Sequence, residues 1–267
     1  MSTIKKILVP FDFLEASYSA LDYAMSFVGY DKPISIVALW VSEVKPTEHE
    51  LEELYSRFTS TLNEIDRTTH LKPRLITRIG KLTDTILSTF KEEQFDLILM
   101  GTMGDEVAED AITHTSRLVL EAEGPVLTIP FGTEAKPPQD IALVLGREEI
   151  EDTSVLELLL DISRMFNARV HVLTIYKGSI YEEEMTGSTS SEKNEETLEY
   201  FLEHFYEEHV FTKNQDVEKG IFDYVEEKNI DLLAILPRNH AEKTSPSEGR
   251  LTKLLSLHSK VPVLALD

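Results

Sequence analysis

The chain says nearly the same thing twice. Phe95-Asp96-Leu97-Ile98-Leu99-Met100 is answered by Ile230-Asp231-Leu232-Leu233-Ala234-Ile235, 135 positions later, and Pro125-Val126-Leu127 by Pro262-Val263-Leu264, 137 positions later. Upstream, Leu8 pairs with Ala142 and Leu39 with Leu173, both at an offset of 134. A near-constant offset across four separate segments describes one unit that was duplicated and fused. A fold proposed for one half must therefore also fit the other. The 267 residues divide into two domains, each long enough to bury its own core. We place the first at 1–132, a linker at 133–138 ending in Pro137-Pro138, and the second at 139–267.

Each half reads as alternating strands and helices. Ile7–Phe11 is a short apolar run expected to be a buried strand. Glu15–Val28 carries apolar residues at helical spacing, with Gly29 placed to end it. Ile34–Val41 is a second strand. Glu48–Thr69 follows as an amphipathic helix with Leu51, Leu54, Tyr55, Phe58 and Leu62 on its apolar face. Arg74–Arg78 is a third strand, and Thr83 or Asp84 can cap the helix that runs to Phe90. Phe95–Met100 is a fourth strand, Thr113–Glu121 a helix and Val126–Ile129 a fifth strand. The second half repeats the order: strand 141–145, helix Thr153–Phe166, strand 170–175, helix near 194–206, strands 209–212 and 231–236, and a last strand at Val263–Leu266. The polar stretch from Gly178 to Ser191 reads as a connector. Near-continuous apolar strands alternating with helices predict two tandem doubly wound five-stranded parallel sheets.

Composition narrows the function. The formal charge is −22, and both halves share it: 13 basic against 22 acidic side chains in 1–137, and 13 against 26 in 138–267. Such a field repels nucleic acid and anionic lipid alike, so neither is an expected partner. No apolar run approaches the roughly 20 residues of a membrane span. The N-terminus leads directly into a strand without a signal-peptide pattern, which makes the cytoplasm the expected location. With no cysteine, disulfides and thiolate chemistry are excluded. The histidines, His204 and His209 among them, show no metal-ligand spacing, so no metal is expected. His114 beside Thr113, Thr115 and Ser116 lacks the acid and elbow glycines of a nucleophile and reads as a polar helix start. Trp40, the lone tryptophan, is expected to line the core or a crevice.

In an open parallel sheet, ligands bind beyond the carboxyl ends of the strands, where strand order reverses. Asp12 follows the first strand. Gly101-Thr102-Met103-Gly104 follows the fourth, and Thr113 opens the next helix. Glycines there let backbone approach a ligand, and helix N-terminal amides attract phosphate.

With Ile7–Asp12, Ser17, Ala20-Leu21, Leu39-Trp40-Val41, Asp96–Gly104 and Pro125-Val126-Leu127 in this order, the chain resembles the universal stress protein family in its tandem two-domain form. The resemblance implies an adenine-nucleotide alpha-hydrolase-like (HUP-type) fold, with the two domains forming an internal pseudo-dimer through the edges at Val126–Ile129 and Val263–Leu266. It implies a stress-response protein that binds ATP or AMP, with no catalytic residues. As a free-standing particle it would be a monomeric pseudo-dimer or a homodimer. Asp12 and Val41 match the residues that address adenosine. Gly101 and Gly104 match the first glycines of a Gly-x2-Gly-x9-Gly-Ser/Thr stretch, in which the third glycine is absent: counting forward reaches His114-Thr115, and aligning backward from Pro125 reaches Ile112-Thr113. The nucleotide-binding set implied is Asp12, Val41, Gly101, Gly104 and Thr113.

The second half departs further. Gly146 stands where Asp12 does, and Leu236 and Asn239 replace the glycine pair. That half is not expected to bind nucleotide in the family manner. It carries instead Arg238, His240, Lys243, Arg250 and Lys253 within sixteen residues against two acids. Arg238, His240 and Arg250 make up a candidate anion site. A rival to the ligand-responsive reading is a module that works only through a protein partner. An ATP-hydrolysing enzyme lacks a recognisable base, Walker lysine or metal carboxylates.

Overall fold

The computed structural model describes residues 4–26, 34–65, 72–103, 113–146, 150, 152–176, 194–236, 252 and 255–266. The chain separates into two compact units. One holds Met1–Pro137 with Ser256–Lys260, and the other Pro138–Leu255 with Val261–Asp267.

In the first unit the strands are β1 (Lys6–Pro10), β2 (Ser35–Ser42), β3 (Arg74–Ile79), β4 (Leu97–Thr102) and β5 (Val126–Pro130). The helices are α1 (Glu15–Ser26), α2 (Glu48–Glu64), α3 (Leu82–Glu92) and α4 (His114–Glu121). All strands are parallel, in the order β3-β2-β1-β4-β5. Chain order therefore reverses between β1 and β4, which is where a doubly wound sheet opens its crevice. Ile7, Leu8, Val9, Leu97, Ile98 and Leu99 are fully buried at the centre, as expected for strands covered on both faces.

The second unit has β6 (Asp140–Leu145), α5 (Glu157–Phe166), β7 (Arg169–Tyr176), a helix at 194–202 (α6), β8 (Tyr206–Lys213), α7 (Val217–Lys228), β9 (Leu232–Ile235) and β10 (Val263–Ala265). Its order, β10-β9-β6-β7-β8, is again all parallel. The repeat in sequence is a repeat in register. Leu8 pairs with Val37 in the first sheet and Ala142 with His171 in the second, each residue shifted by 134. Ile98 opposite Val126 becomes Leu233 opposite Val263. Among the described residues no helix is long and apolar enough to cross a membrane.

Four local differences from the sequence reading have physical causes. The helix α3 begins at Leu82 with Lys81 as its N-cap and no side-chain cap. Thr83 and Asp84 are engaged elsewhere: Thr83 Oγ1 lies 3.0 Å from His114 Nδ1, and Asp84 pairs with Arg117 at 2.9 Å. The helix expected over Thr153–Phe166 opens as a 3-10 turn, Thr153–Leu156, in which the Ser154 amide donates to the Asp152 carboxylate at 2.9 Å. The helix expected to reach 206 stops at 202, because Glu203 takes a left-handed φ of 55° and leads through a 3-10 turn into β8. Finally, α2 buries only Phe58 and Thr61. Leu51, Leu54 and Leu62 are half-buried and Tyr55 is exposed, so this helix rests lightly on the sheet. Gly29 and the 178–191 connector lie outside the described residues.

Candidate functional site

The turn after β1 sets the first wall of the crevice. Asp12 Oδ1 accepts the backbone N–H of Leu14 at 2.9 Å, which folds the chain back into α1. Ser17 Oγ donates to Leu14 O at 2.8 Å and closes the same turn. Between them Phe13 adopts φ 64°, a conformation that bulky residues rarely take. Aromatic packing holds it: Phe11 lies edge-on to Phe13, Tyr18 and Phe58 at 4.8, 5.4 and 5.5 Å. Arg57 covers the Phe13 ring at 4.3 Å. The Asp12 carboxylate is thus exposed yet tied to a rigid turn.

Facing it is the end of β4. The two strands pair through Ile7 opposite Leu97 and Leu8 opposite Ile98, and β4 ends at Thr102. A Cβ on Gly101 would lie 1.9 Å from the carbonyl oxygen of Ala16. The glycine therefore lets α1 press directly on β4, a packing duty that motif reading alone does not distinguish from ligand contact. Thr102 is buried, and its Oγ1 has no hydrogen-bond partner among the described residues. A buried hydroxyl left unpaired is uncommon and costs free energy unless something meets it.

The third wall is the start of α4. Thr113 is its N-cap: Thr113 Oγ1 accepts Ser116 N–H at 3.0 Å and Ser116 Oγ accepts Thr113 N–H at 3.0 Å. His114 is exposed and bonded to Thr83, as expected of a polar helix start. Val41, half-buried on β2, lies in register with Arg78 of β3. Asp12 thus follows β1, Gly101 lies near the end of β4 and Thr113 opens α4, while Val41 stands on β2, the strand beside β1. Gly104 lies outside the described residues, as do Arg238, His240, Lys243, Arg250 and Lys253.

Sequence reading did not single out a polar cluster at the opposite, amino-terminal end of the second sheet. His171 is buried, with Nε2 3.1 Å from Asp140 Oδ1 and Nδ1 3.2 Å from the Tyr224 hydroxyl. Tyr224 donates to Glu208 at 3.3 Å, and Lys228 reaches the same carboxylate at 2.8 Å. Arg169 closes the cluster on Asp140 at 2.7 Å. Burial opposes the charged form of Asp140, but the Arg169 and His171 bonds outweigh it and hold its carboxyl below the ordinary range. Lys228 does the same for Glu208, while burial and Glu208 push the Tyr224 hydroxyl up. These residues come from three strands and a helix, so no local motif could have announced them.

A parallel sheet with one reversal of strand order, present twice, defines a tandem doubly wound α/β protein. No curated protein matches the chain significantly. Residues 3–130 match the model of the Universal stress protein family; the first domain belongs to that family, and the second repeats its strand order. A universal stress protein from Archaeoglobus fulgidus superposes with a TM-score of 0.73 at 16% identity, covering 98% of both chains. A functionally unknown protein from Pseudomonas aeruginosa PAO1 does so at 0.62 and 15%, over 99% of this chain and 92% of its own. The cytoplasmic domain of a prokaryotic cation chloride cotransporter shares the fold at 0.57 and 10%, over 100% and 96%.

Proposed function

We propose that this universal stress protein-like chain is a ligand-responsive stress protein that holds one adenine nucleotide, ATP or AMP, in the first domain and turns nothing over. What supports this is that Asp12 follows β1, Thr102 ends β4 with its hydroxyl unpartnered among the described residues, and Thr113 caps the start of α4, all on elements beside the strand reversal. The carboxylate supplies an acceptor for ribose or adenine, and the helix start supplies a favourable field for phosphate. In the second domain Gly146 replaces the carboxylate, so that domain serves as a structural partner. Calorimetry on the full chain tests the reading. One weak site per chain is expected, with a dissociation constant on the order of micromolar to millimolar because the third motif glycine is absent. Asp12→Ala should abolish it. Two equivalent sites, or affinity unchanged in Asp12→Ala, would contradict the proposal.

One observation favours a second reading, a module that acts through a protein partner alone. Asp12 and Gly101 both have local duties, the turn bond to Leu14 and the contact with Ala16, that would preserve them in a crevice holding no nucleotide. Absence of any nucleotide binding by the intact chain would select that reading.

A further inference from the structure

The first domain holds a second concavity, lined by neither Asp12, Val41, Gly101 nor Thr113. It is a cleft of about 420 Å3 between the carboxyl end of β2 and the lightly seated α2. Side chains alternate along a strand, so Trp40 faces it from the side of β2 opposite to Val41. Leu54 of α2 adds apolar wall, while Lys45, Glu50, Glu53 and Arg57 bring charge.

Two of these charges are held in place. Glu50 Oε2 accepts from the Thr47 amide at 2.7 Å and from the Thr47 hydroxyl at 2.8 Å. Arg57 is laid over Phe13, whose left-handed backbone persists only because its surroundings hold it. The other two are exposed and loosely engaged. Lys45 has no partner among the described residues, and Glu53 has only His49 at 3.7 Å. An indole thus stands among two cations and two anions.

That balance decides the chemistry. A simple anion would meet the Glu50 and Glu53 carboxylates inside a chain of charge −22, and a simple cation would meet Lys45 and Arg57. A molecule carrying both signs answers both pairs, and an aromatic body matches Trp40 and Leu54. The volume lies within the range of small-molecule sites. We infer that this cleft binds a zwitterionic amino acid with an aromatic side chain. Its ring lies against Trp40, its carboxylate faces Arg57 and Lys45, and its ammonium faces Glu50 and Glu53.

Trp40 is the sole tryptophan of the chain, so its fluorescence reports on this cleft alone. The probe is L-phenylalanine titrated into the full chain, beside phenylacetate, which lacks the ammonium, and phenethylamine, which lacks the carboxylate. A saturable change with phenylalanine is expected, with each comparator about tenfold weaker or more. Arg57→Gln and Lys45→Gln should each weaken phenylalanine by about tenfold. If Arg57→Gln disturbs the Phe13 turn, Lys45→Gln still decides, because Lys45 has no other partner among the described residues. A response that never saturates, a comparator equal to phenylalanine, or undiminished binding in Lys45→Gln would overturn the inference. Nucleotide enters none of these measurements, so the outcome is independent of the crevice.

Discussion

Asp96 and Asp231 make the same pair of hydrogen bonds in the two domains. Asp96 Oδ2 accepts the backbone N–H groups of Lys5 and Lys6 at 2.7 and 2.8 Å. Asp231 Oδ2 accepts those of Gln139 and Asp140 at 3.0 and 3.2 Å. Each carboxylate sits just ahead of a central strand and fastens the start of its neighbour, which fixes the β1/β4 and β6/β9 registers. The aspartate in the repeated segment therefore serves the fold, not the ligand. Asp96→Ala and Asp231→Ala should each destabilise the chain by about 1–3 kcal/mol, since both remove charge-assisted bonds to backbone amides. Urea unfolding measures this. A loss in one variant alone would mean that the two bonds are not equivalent.

Gly101→Ala separates packing from binding. The new Cβ would lie 1.9 Å from the Ala16 carbonyl oxygen, a backbone atom that cannot swing aside. Overpacking of this kind typically costs about 1–3 kcal/mol. We expect a lowered thermal midpoint whether or not nucleotide is present. An unchanged midpoint would mean that α1 and β4 can part at no cost, and that the glycine is kept for a ligand.

The architecture was legible because the repeat and the apolar periodicity are one-dimensional signals. Offsets of 134 to 137 in sequence reappear as matched strand registers, and Asp12, Gly101 and Thr113 fall at the ends of the elements expected. What could not be read was which duty each residue performs. Thr83 reads as a cap yet bonds His114, a residue 31 positions away. Gly101 reads as a phosphate glycine, and its contact with Ala16 appears only when α1 is folded onto β4. Tyr55 shares the helical period of the apolar face yet remains exposed, because α2 buries only Phe58 and Thr61, which meet Phe11 and Tyr18.

His171 joins Asp140 to Tyr224, so its removal should take one hydrogen bond from each, leaving Asp140 with Arg169 and Tyr224 with Glu208. We expect His171→Leu to destabilise the second domain by about 1–3 kcal/mol, the cost of losing two hydrogen bonds in a partly buried cluster. The Asp140 and Glu208 carboxyls both lie below their ordinary range in the fold. Such groups stabilise above the unfolded-state value, and that stability is lost as pH falls through the folded-state value. The cluster should therefore weaken below about pH 4. Asp140→Asn should flatten this acid limb in a denaturation series, and an unaltered limb would place the acid sensitivity elsewhere.

His209 supplies a second, milder pH dependence. Burial pushes its imidazole from 6.5 down to about 4. Nε2 lies 3.1 Å from Thr174 Oγ1, Nδ1 is buried without a partner among the described residues, and the ring stacks on Phe211 at 4.1 Å. Between those two values the unfolded chain takes up a proton that the folded chain refuses. The stabilisation is therefore complete above pH 6.5, and it declines as pH falls toward 4. Substituting Phe keeps the stacking surface and removes the titration. The thermal midpoint of His209→Phe should accordingly fall less steeply than that of the parent chain across this window, with little difference at neutral pH. Parallel curves for the two proteins would show that His209 accepts its proton in the folded state as readily as in the unfolded one.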